Sequence, residues 1–485
     1  MQGLQRLEIN TNIAPLILKI PSMKRYEDLV SQTFDFPTEE FKVVKKELHF
    51  HGIPLLDIIK EHGTPLKLSY LPKIGQNIKK ARKLFKSAMK KNKYKGNYMY
   101  CYCTKSSHFS FVLEEALKHK VHIETSSAYD LEIVRALQKK GSISKDLYII
   151  CNGFKRPLYT KFIAEIVNDG YENCIPILDN LTEIDYYIKH IHKPLQVGIR
   201  VAADEEPNFE FYTSRLGIRY NDVNEVYNTK IKDMPNIKLK MLHFFIHPGI
   251  TDSAYYWSEL SRFIFKYCEL KKMCPELDTI DIGGGFPIKT SLQFDFDYEY
   301  IIEQIVQNIK WICDKNHVPT PHIVTEFGAY TVGESGATIY SVLDKKLQND
   351  KELWYMIDGS FITHIPDSYG MNQKYIMLAI NNWGEMYHKV NLGGLTCDSL
   401  DYYNSEAHSS EVFLPMMSDE EPLYIGFFHT GAYQESIGGY GGLQHCLIPH
   451  PKHIIIDRED KNSDISIRVF AEEQSSKSML NLLGY

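Results

Sequence analysis

The sequence predicts an α/β fold in which a (β/α)8 barrel is followed by a β domain that also takes in the N-terminal segment. Three observations lead there. Eight short apolar stretches of strand character recur at regular intervals between residues 98 and 325, most of them followed by a helical pattern. Eight is the number that a closed barrel of alternating strands and helices requires. After residue 338 the helical pattern fades, and aromatic and β-branched runs separated by glycines replace it. Ahead of the barrel's first helix, a strand expected at 43–50 and a short helix near 55–61 have their natural place in the same β domain. The expected division is 1–66 for the N-terminal segment, 67–335 for the barrel and 336–485 for the β domain.

The eight barrel strands are expected at 98–103, 121–125, 147–151, 174–178, 196–201, 240–245, 279–282 and 322–325. Alternation of β and α over this length favours parallel pairing. Helical spacing is clearest at 109–117, 131–137, 162–167, 255–270 and 298–313, where apolar residues return at three and four positions. The later β runs fall at 353–357, 375–378, 423–428 and 453–456. Residues 76–95 hold nine Lys or Arg and no acid, but Ile78, Ala81, Leu84, Phe85 and Ala88 form an apolar stripe at helical spacing. The basic residues are therefore the solvated side of an outer helix, and no nucleic-acid partner is expected.

Composition agrees with an ordinary soluble protein. Of 485 residues, 44% are hydrophobic and 24% charged, and the net charge of −6 gives no reason to expect a polyanionic partner. Nine cysteines, an odd number without any C-x-x-C pair, argue against a disulfide framework or a zinc finger and suit a reducing cytoplasm. The apolar run at 13–18, interrupted by Pro15, falls far short of the roughly 20 residues that span a bilayer. Neither signal peptide nor membrane segment is read. His49/His51 and His190/His192 have a spacing that metals can use, yet neither pair is expected to have an acid or cysteine that completes a coordination shell. Surface histidines and no metal are expected.

Candidate chemistry gathers at the C-terminal ends of the strands. Cys101 and Cys103 alternate with Met99 and with Lys105, so all four should face inward, and the cysteines need no redox role there. A lysine at that end of a barrel strand sits where such folds place catalytic groups; Schiff-base chemistry and a structural salt bridge are both open to it. The second strand ends in Glu124-Thr125-Ser126-Ser127 and the sixth runs through His243-Phe244-Phe245-Ile246-His247-Pro248. The seventh leads into Gly283-Gly284-Gly285, able to offer backbone N–H groups to an anion, and the eighth ends at Thr325-Glu326. A lysine, a phosphate-sized glycine loop and a carboxylate on one rim suggest a phosphate-bearing carbonyl cofactor.

Together these motifs resemble the fold-type III pyridoxal-phosphate decarboxylases, the family that acts on ornithine, diaminopimelate and arginine, with an alanine-racemase-like barrel. The resemblance runs from about Phe41 onward, in family order, and is greatest to the biosynthetic arginine-decarboxylating branch. Tyr102-Cys103-Thr104-Lys105 resembles the family's Y-x-x-K, whose lysine bonds the cofactor. Ser214-Arg215-Leu216-Gly217 is similar to S-K-F-G, Asp281-Ile282-Gly283-Gly284-Gly285-Phe286 to the phosphate loop, and Gly431-Ala432-Tyr433 to a late G-A-Y. Glu326 matches the acid that pairs with the pyridine nitrogen. The resemblance also implies Glu124, Ser127, Arg200, Phe245 and Tyr433 as cofactor contacts.

Thr396-Cys397-Asp398-Ser399 resembles a segment that the family inserts from a partner subunit, which implies a homodimer with shared sites and Cys397 as proton donor. Ile365-Pro366-Asp367-Ser368-Tyr369 is similar to S-x-P-D-x-W with tyrosine for tryptophan. Asp358, Asp367 and Asp398 are the expected substrate carboxylates; a guanidinium's fork suits such acids, whereas diaminopimelate would call for an arginine. The resemblance implies arginine first, ornithine or lysine second and diaminopimelate third, with polyamine biosynthesis as the setting. Three positions depart from the family: Phe245 replaces a histidine, Pro248 a serine and Ala329 an arginine. Phosphate binding is then left to the glycine loop, Tyr433 and His247. The reading from another class is a non-catalytic regulatory homologue of the same fold.

Overall fold

A computed structural model describes residues 36, 38–203, 214–246, 249–250, 253–418, 421–458 and 463–485. The run at 13–18, His247 and Pro248 lie outside these residues. All eight expected strands close one parallel barrel: Tyr98–Cys103, His122–Thr125, Ile149–Cys151, Cys174–Leu178, Leu195–Arg200, Ile237–His243, Thr279–Asp281 and His322–Phe327, with the eighth paired to the first. Side chains alternate across each strand, so Tyr100 and Tyr102 join the large core under the helices. Cys101 packs instead with Ile150, Ile175, Met241 and Val324, the small cluster that plugs the barrel.

The outer helix Pro72–Lys91 buries Ile78, Ala81, Phe85 and Ala88. Its basic side is engaged locally, with Lys91 2.7 Å from Glu303 and the Lys80 ammonium 4.5 Å from the Tyr298 ring centroid. No helix among the described residues is long and apolar enough to cross a membrane.

The β domain is a ten-stranded sheet running from Tyr402–Tyr403 through Gly336–Gln348 to Ser466–Ala471. Strand Leu66–Tyr70, which straddles the division expected at residue 67, lies inside it, antiparallel to Gly336–Gln348 and parallel to Lys452–Asp457. The strand expected at 43–50 is instead a hairpin, Phe41–Val44 against Glu47–Phe50, because Lys45 and Lys46 adopt φ of 53° and 70° and turn the chain in two residues. This hairpin forms a separate three-stranded sheet but shares the β domain's core, Phe41 meeting Phe428 edge-on at 4.9 Å.

The hairpin is also tied down by charge. His429 Nε2 lies 2.7 Å from Glu40 Oε1 while Nδ1 faces the Lys289 carbonyl, so both ring nitrogens meet acceptors and both must carry protons. His51, expected at the surface, instead stacks on Tyr70 at 4.3 Å, with Nε2 3.6 Å from the same Glu40 carboxylate. His190 and His192 are exposed. Burial would raise the Glu40 pKa, but His429 outweighs it and holds the carboxylate at about 2. Burial would lower that of His429, and Glu40 raises it above the ordinary imidazole value.

The depressed carboxylate stabilises the fold above the ordinary Glu range and loses that contribution as pH falls toward 2. The raised imidazolium contributes fully below the ordinary His range and loses its share as pH climbs through its folded value. Stability from this pair therefore peaks between about pH 5 and about pH 6.5. Glu40→Gln should cost about 3 kcal/mol there and flatten the profile, since it leaves a buried cation unpaired. Thermal midpoints across that range check it; a variant with the parent's midpoint and profile would remove the pair from the stability account.

Candidate active site

The ends of barrel strands one, two, three, five, six and eight deliver polar side chains to a common rim. Lys105 is carried by a single 3-10 turn, Thr104–Ser106, immediately after the first strand. Its Nζ donates to Glu124 Oε2 at 2.8 Å. Glu124 is fully buried at the end of the second strand, and its other oxygen accepts from Asn152 Nδ2 at 3.0 Å. The same amide nitrogen donates to Glu326 Oε1 at 2.6 Å, and Glu326 Oε2 lies 3.3 Å from His243 Nε2. One chain of hydrogen bonds thus joins the ends of strands one, two, three, eight and six.

The electrostatics follow from that chain. Burial would raise the Glu326 pKa, but His243, Lys105 and Asn152 bring it down to about 2. Burial opposes the Lys105 charge, and the facing carboxylates hold the ammonium well above the ordinary lysine range. Asp281 goes the other way: fully buried beside ionised Glu326, it is pushed far above the carboxylate range and stays neutral. Its Oδ1 accepts the Gly283 N–H at 2.8 Å.

Above this network lies a cavity of about 400 Å³. Lys105, Glu124, Glu326, Arg200, Phe245 and Tyr433 line it, as do Gly284 and Gly285, so these predicted residues do come together. The Arg200 guanidinium stands 6.0 Å from the Phe245 ring centroid. Glycine is required at 284, where a Cβ would come within 2.4 Å of the Glu326 carbonyl oxygen. Tyr433 is held at φ 70° by its N–H bond to the Ser106 carbonyl at 2.8 Å, and burial pushes its phenol up to about 12. Gly283 shapes the loop at φ 67° without lining the cavity.

Other predicted residues lie elsewhere. Ser127 is the N-cap of helix Ala128–Lys139, its hydroxyl accepting from the Asp130 N–H, and the neighbouring Ser126 lines the cavity in its place. Asp358 stands outside the cavity, accepting 3.0 and 2.9 Å bonds from the Ser341 N–H and hydroxyl. Asp367 is buried one step behind the wall, where Gln434 donates to it at 2.8 Å. Cys397 is exposed and Asp398 half-buried, both away from their own chain's cavity. Ala329 is in the lining, as the altered position should be.

Asn152 and His243 belong to the network, although the sequence does not mark them as candidates. Asn152 directly follows the third strand, a position that marks a rim residue in the sequence. The role of His243 depends on a neighbour 83 residues away.

The family model described as pyridoxal-dependent decarboxylase, pyridoxal binding domain, matches residues 75–333. This chain belongs to the pyridoxal-dependent decarboxylase family. It is 23% identical to a biosynthetic arginine decarboxylase of Prochlorococcus marinus (strain MIT 9215), over 88% of this chain and 83% of that one. Its fold is similar to the biosynthetic arginine decarboxylase of Campylobacter jejuni, with a TM-score of 0.77, 20% identity and coverage of 94% and 90%. It is also similar to the diaminopimelate decarboxylase of M. jannaschii, with a TM-score of 0.76, 15% identity and coverage of 91% and 97%.

The residues present fit pyridoxal phosphate. The amine of Lys105 and the ionised acid Glu326 reach the cavity from neighbouring strands, a glycine loop lies open to the approach of a phosphate, and two buried atoms of the lining, His243 Nδ1 and Asn152 Oδ1, lack partners among the described residues.

Proposed function

We propose that this chain decarboxylates a basic α-amino acid, L-arginine ahead of ornithine or lysine and diaminopimelate last, as a cytoplasmic homodimer in polyamine biosynthesis. The observation that carries the reading is the hydrogen-bonded chain from Lys105 to His243 beneath one cavity. Pyridoxal phosphate, when bound, supplies the electron sink for the carbanion left as CO2 departs.

The protein's own groups do the rest. Lys105 would hold the cofactor through Nζ, and Glu124, 2.8 Å away, would accept the proton the amine must shed. Glu326, ionised and clamped by Asn152 and His243, would keep a proton on the pyridine nitrogen of a bound cofactor. Phe245 would pack on the ring, while the glycine loop, Arg200 and Tyr433 would hold the phosphate, which Ala329 has no group to bind. Cys397 and Asp398, which stand outside their own cavity, enter that of a second copy, Cys397 to protonate Cα and Asp398 to meet the substrate's far end.

Asp367 joins Asp398 there, since it is linked through Gln434 to the wall residue Tyr433. Burial raises its pKa, so a cationic substrate end would be the charge that restores its ionised form. Asp358 has both oxygens engaged by Ser341 and lies outside the cavity lining.

The test is CO2 release by purified protein with added pyridoxal phosphate, offered arginine, ornithine, lysine and diaminopimelate in parallel. Arginine should exceed each of the others by at least about tenfold in kcat/KM, the scale that a bidentate carboxylate pairing provides. Release from another amino acid alone would move the substrate assignment. Release from none, with no bound cofactor, would favour the regulatory homologue.

A further inference from the structure

Seven of the nine cysteines are buried and two are exposed, Cys397 and Cys446. Those two, 49 residues apart in sequence, place their sulfurs 3.3 Å from each other. The other close pairs, Cys151 with Cys174 at 3.8 Å and Cys268 with Cys313 at 4.0 Å, are enclosed in the core, out of reach of a dissolved oxidant.

The backbone is arranged to bring the exposed pair together. Cys446 and its neighbour Leu447 both adopt φ of 54°, a left-handed conformation that non-glycine residues rarely take and that persists only where the surroundings impose it. It presents the Cys446 sulfur to the Cys397 N–H, which donates to it at 3.4 Å. His445 completes the group, with a ring nitrogen within 4.8 Å of both sulfurs. An imidazole beside two solvent-facing thiols places a proton acceptor within reach of an exchange reaction.

We infer that Cys397 and Cys446 form a reversible disulfide site that removes Cys397 from the decarboxylation reaction. The consequence for turnover rests on the role proposed for Cys397; the disulfide itself does not. The oxidant is a low-molecular-mass disulfide. One protein thiolate attacks a sulfur of that disulfide, its S–S bond breaks and one small thiolate leaves. The second protein thiolate then attacks the mixed disulfide, forming the Cys397–Cys446 bond and expelling the second small thiolate. The two protein thiols are oxidised and the small disulfide is reduced by the same two electrons. Their protons pass by way of His445 to the departing thiolates. Once bonded, Cys397 has neither a proton to give nor the freedom to reach a second copy's cavity.

The experiment treats the reduced full-length chain, loaded with pyridoxal phosphate, with oxidised glutathione, followed by peptide mass mapping and assay of CO2 release. The expected result is a peptide carrying Cys397 linked to one carrying Cys446, a fall in turnover of at least tenfold, and reversal of both by dithiothreitol. Cys446→Ser should turn over like the parent when reduced and, after oxidation, carry glutathione on Cys397 with no link. Both thiols remaining free, or a link that leaves turnover unchanged, would overturn the inference. A link formed in a protein that releases CO2 from none of the four amino acids would uphold the disulfide site and refute the proposed activity instead.

Discussion

Lys105→Ala should reduce decarboxylation by roughly a thousandfold or more while the protein stays folded, because no neighbouring group can take over a covalent role. Among the described residues Lys105 is the one lysine in the cavity lining, and it rides on a 3-10 turn that the first barrel strand positions. Lys155, which is fully buried, is committed to Glu183 at 3.0 Å and to the Ile177 carbonyl at 2.6 Å, so it cannot substitute. Lys105→Arg separates charge from chemistry. Arginine can still pair with Glu124 but does not condense with an aldehyde, so this variant should be as inactive as the alanine variant. Both should also lose the visible absorbance of bound cofactor. Turnover within tenfold of the parent in either would show that another residue anchors the cofactor.

Glu326→Gln should lower kcat by about a hundredfold to a thousandfold with cofactor still bound through Lys105, the scale associated with losing one preorganised electrostatic contact. The amide oxygen can still accept from Asn152, but an NH2 group replaces the oxygen that faces His243 Nε2, and the negative charge is gone. With that charge absent, nothing in the network keeps the pyridine nitrogen protonated. The pKa of about 2 carries a second expectation: Glu326 stays ionised across the working range, so the acid limb of the parent's pH profile should not arise from it. Kinetics of the variant between about pH 6 and about pH 9, with cofactor occupancy read from its absorbance, provide the check. Retention of more than a tenth of the parent's kcat would assign the role elsewhere.

Much of the fold was legible because it depends on local periodicity. Apolar strand stretches and helical stripes report their own burial, and eight of them in alternation leave few closed arrangements. The sequence predicts a single strand at 43–50, whereas the chain forms a hairpin because Lys45 and Lys46 turn it with left-handed conformations that lysine rarely adopts. In the candidate site, Lys105, Glu326 and the glycine loop stood out by their position after strands. Asn152 carried the same signal unremarked, and Ser127 was misplaced because a helix N-cap and a ligand contact draw on the same residue type at the same spot.

The sequence by itself determined the barrel, the family and the chemical groups at its rim, since each is written in contiguous residues whose spacing matches a strand or a turn. Only the tertiary structure decided how those groups act on one another. Glu326 is held ionised and Asp281 neutral although both are buried carboxyl groups on the same rim. The difference lies in His243, Lys105 and Asn152, which reach Glu326 from three other strands. Likewise nothing in the spacing of Cys397 and Cys446 shows that their sulfurs meet. Burial and Coulomb energies depend on distance through space, which the order of residues along the chain does not express until the barrel closes.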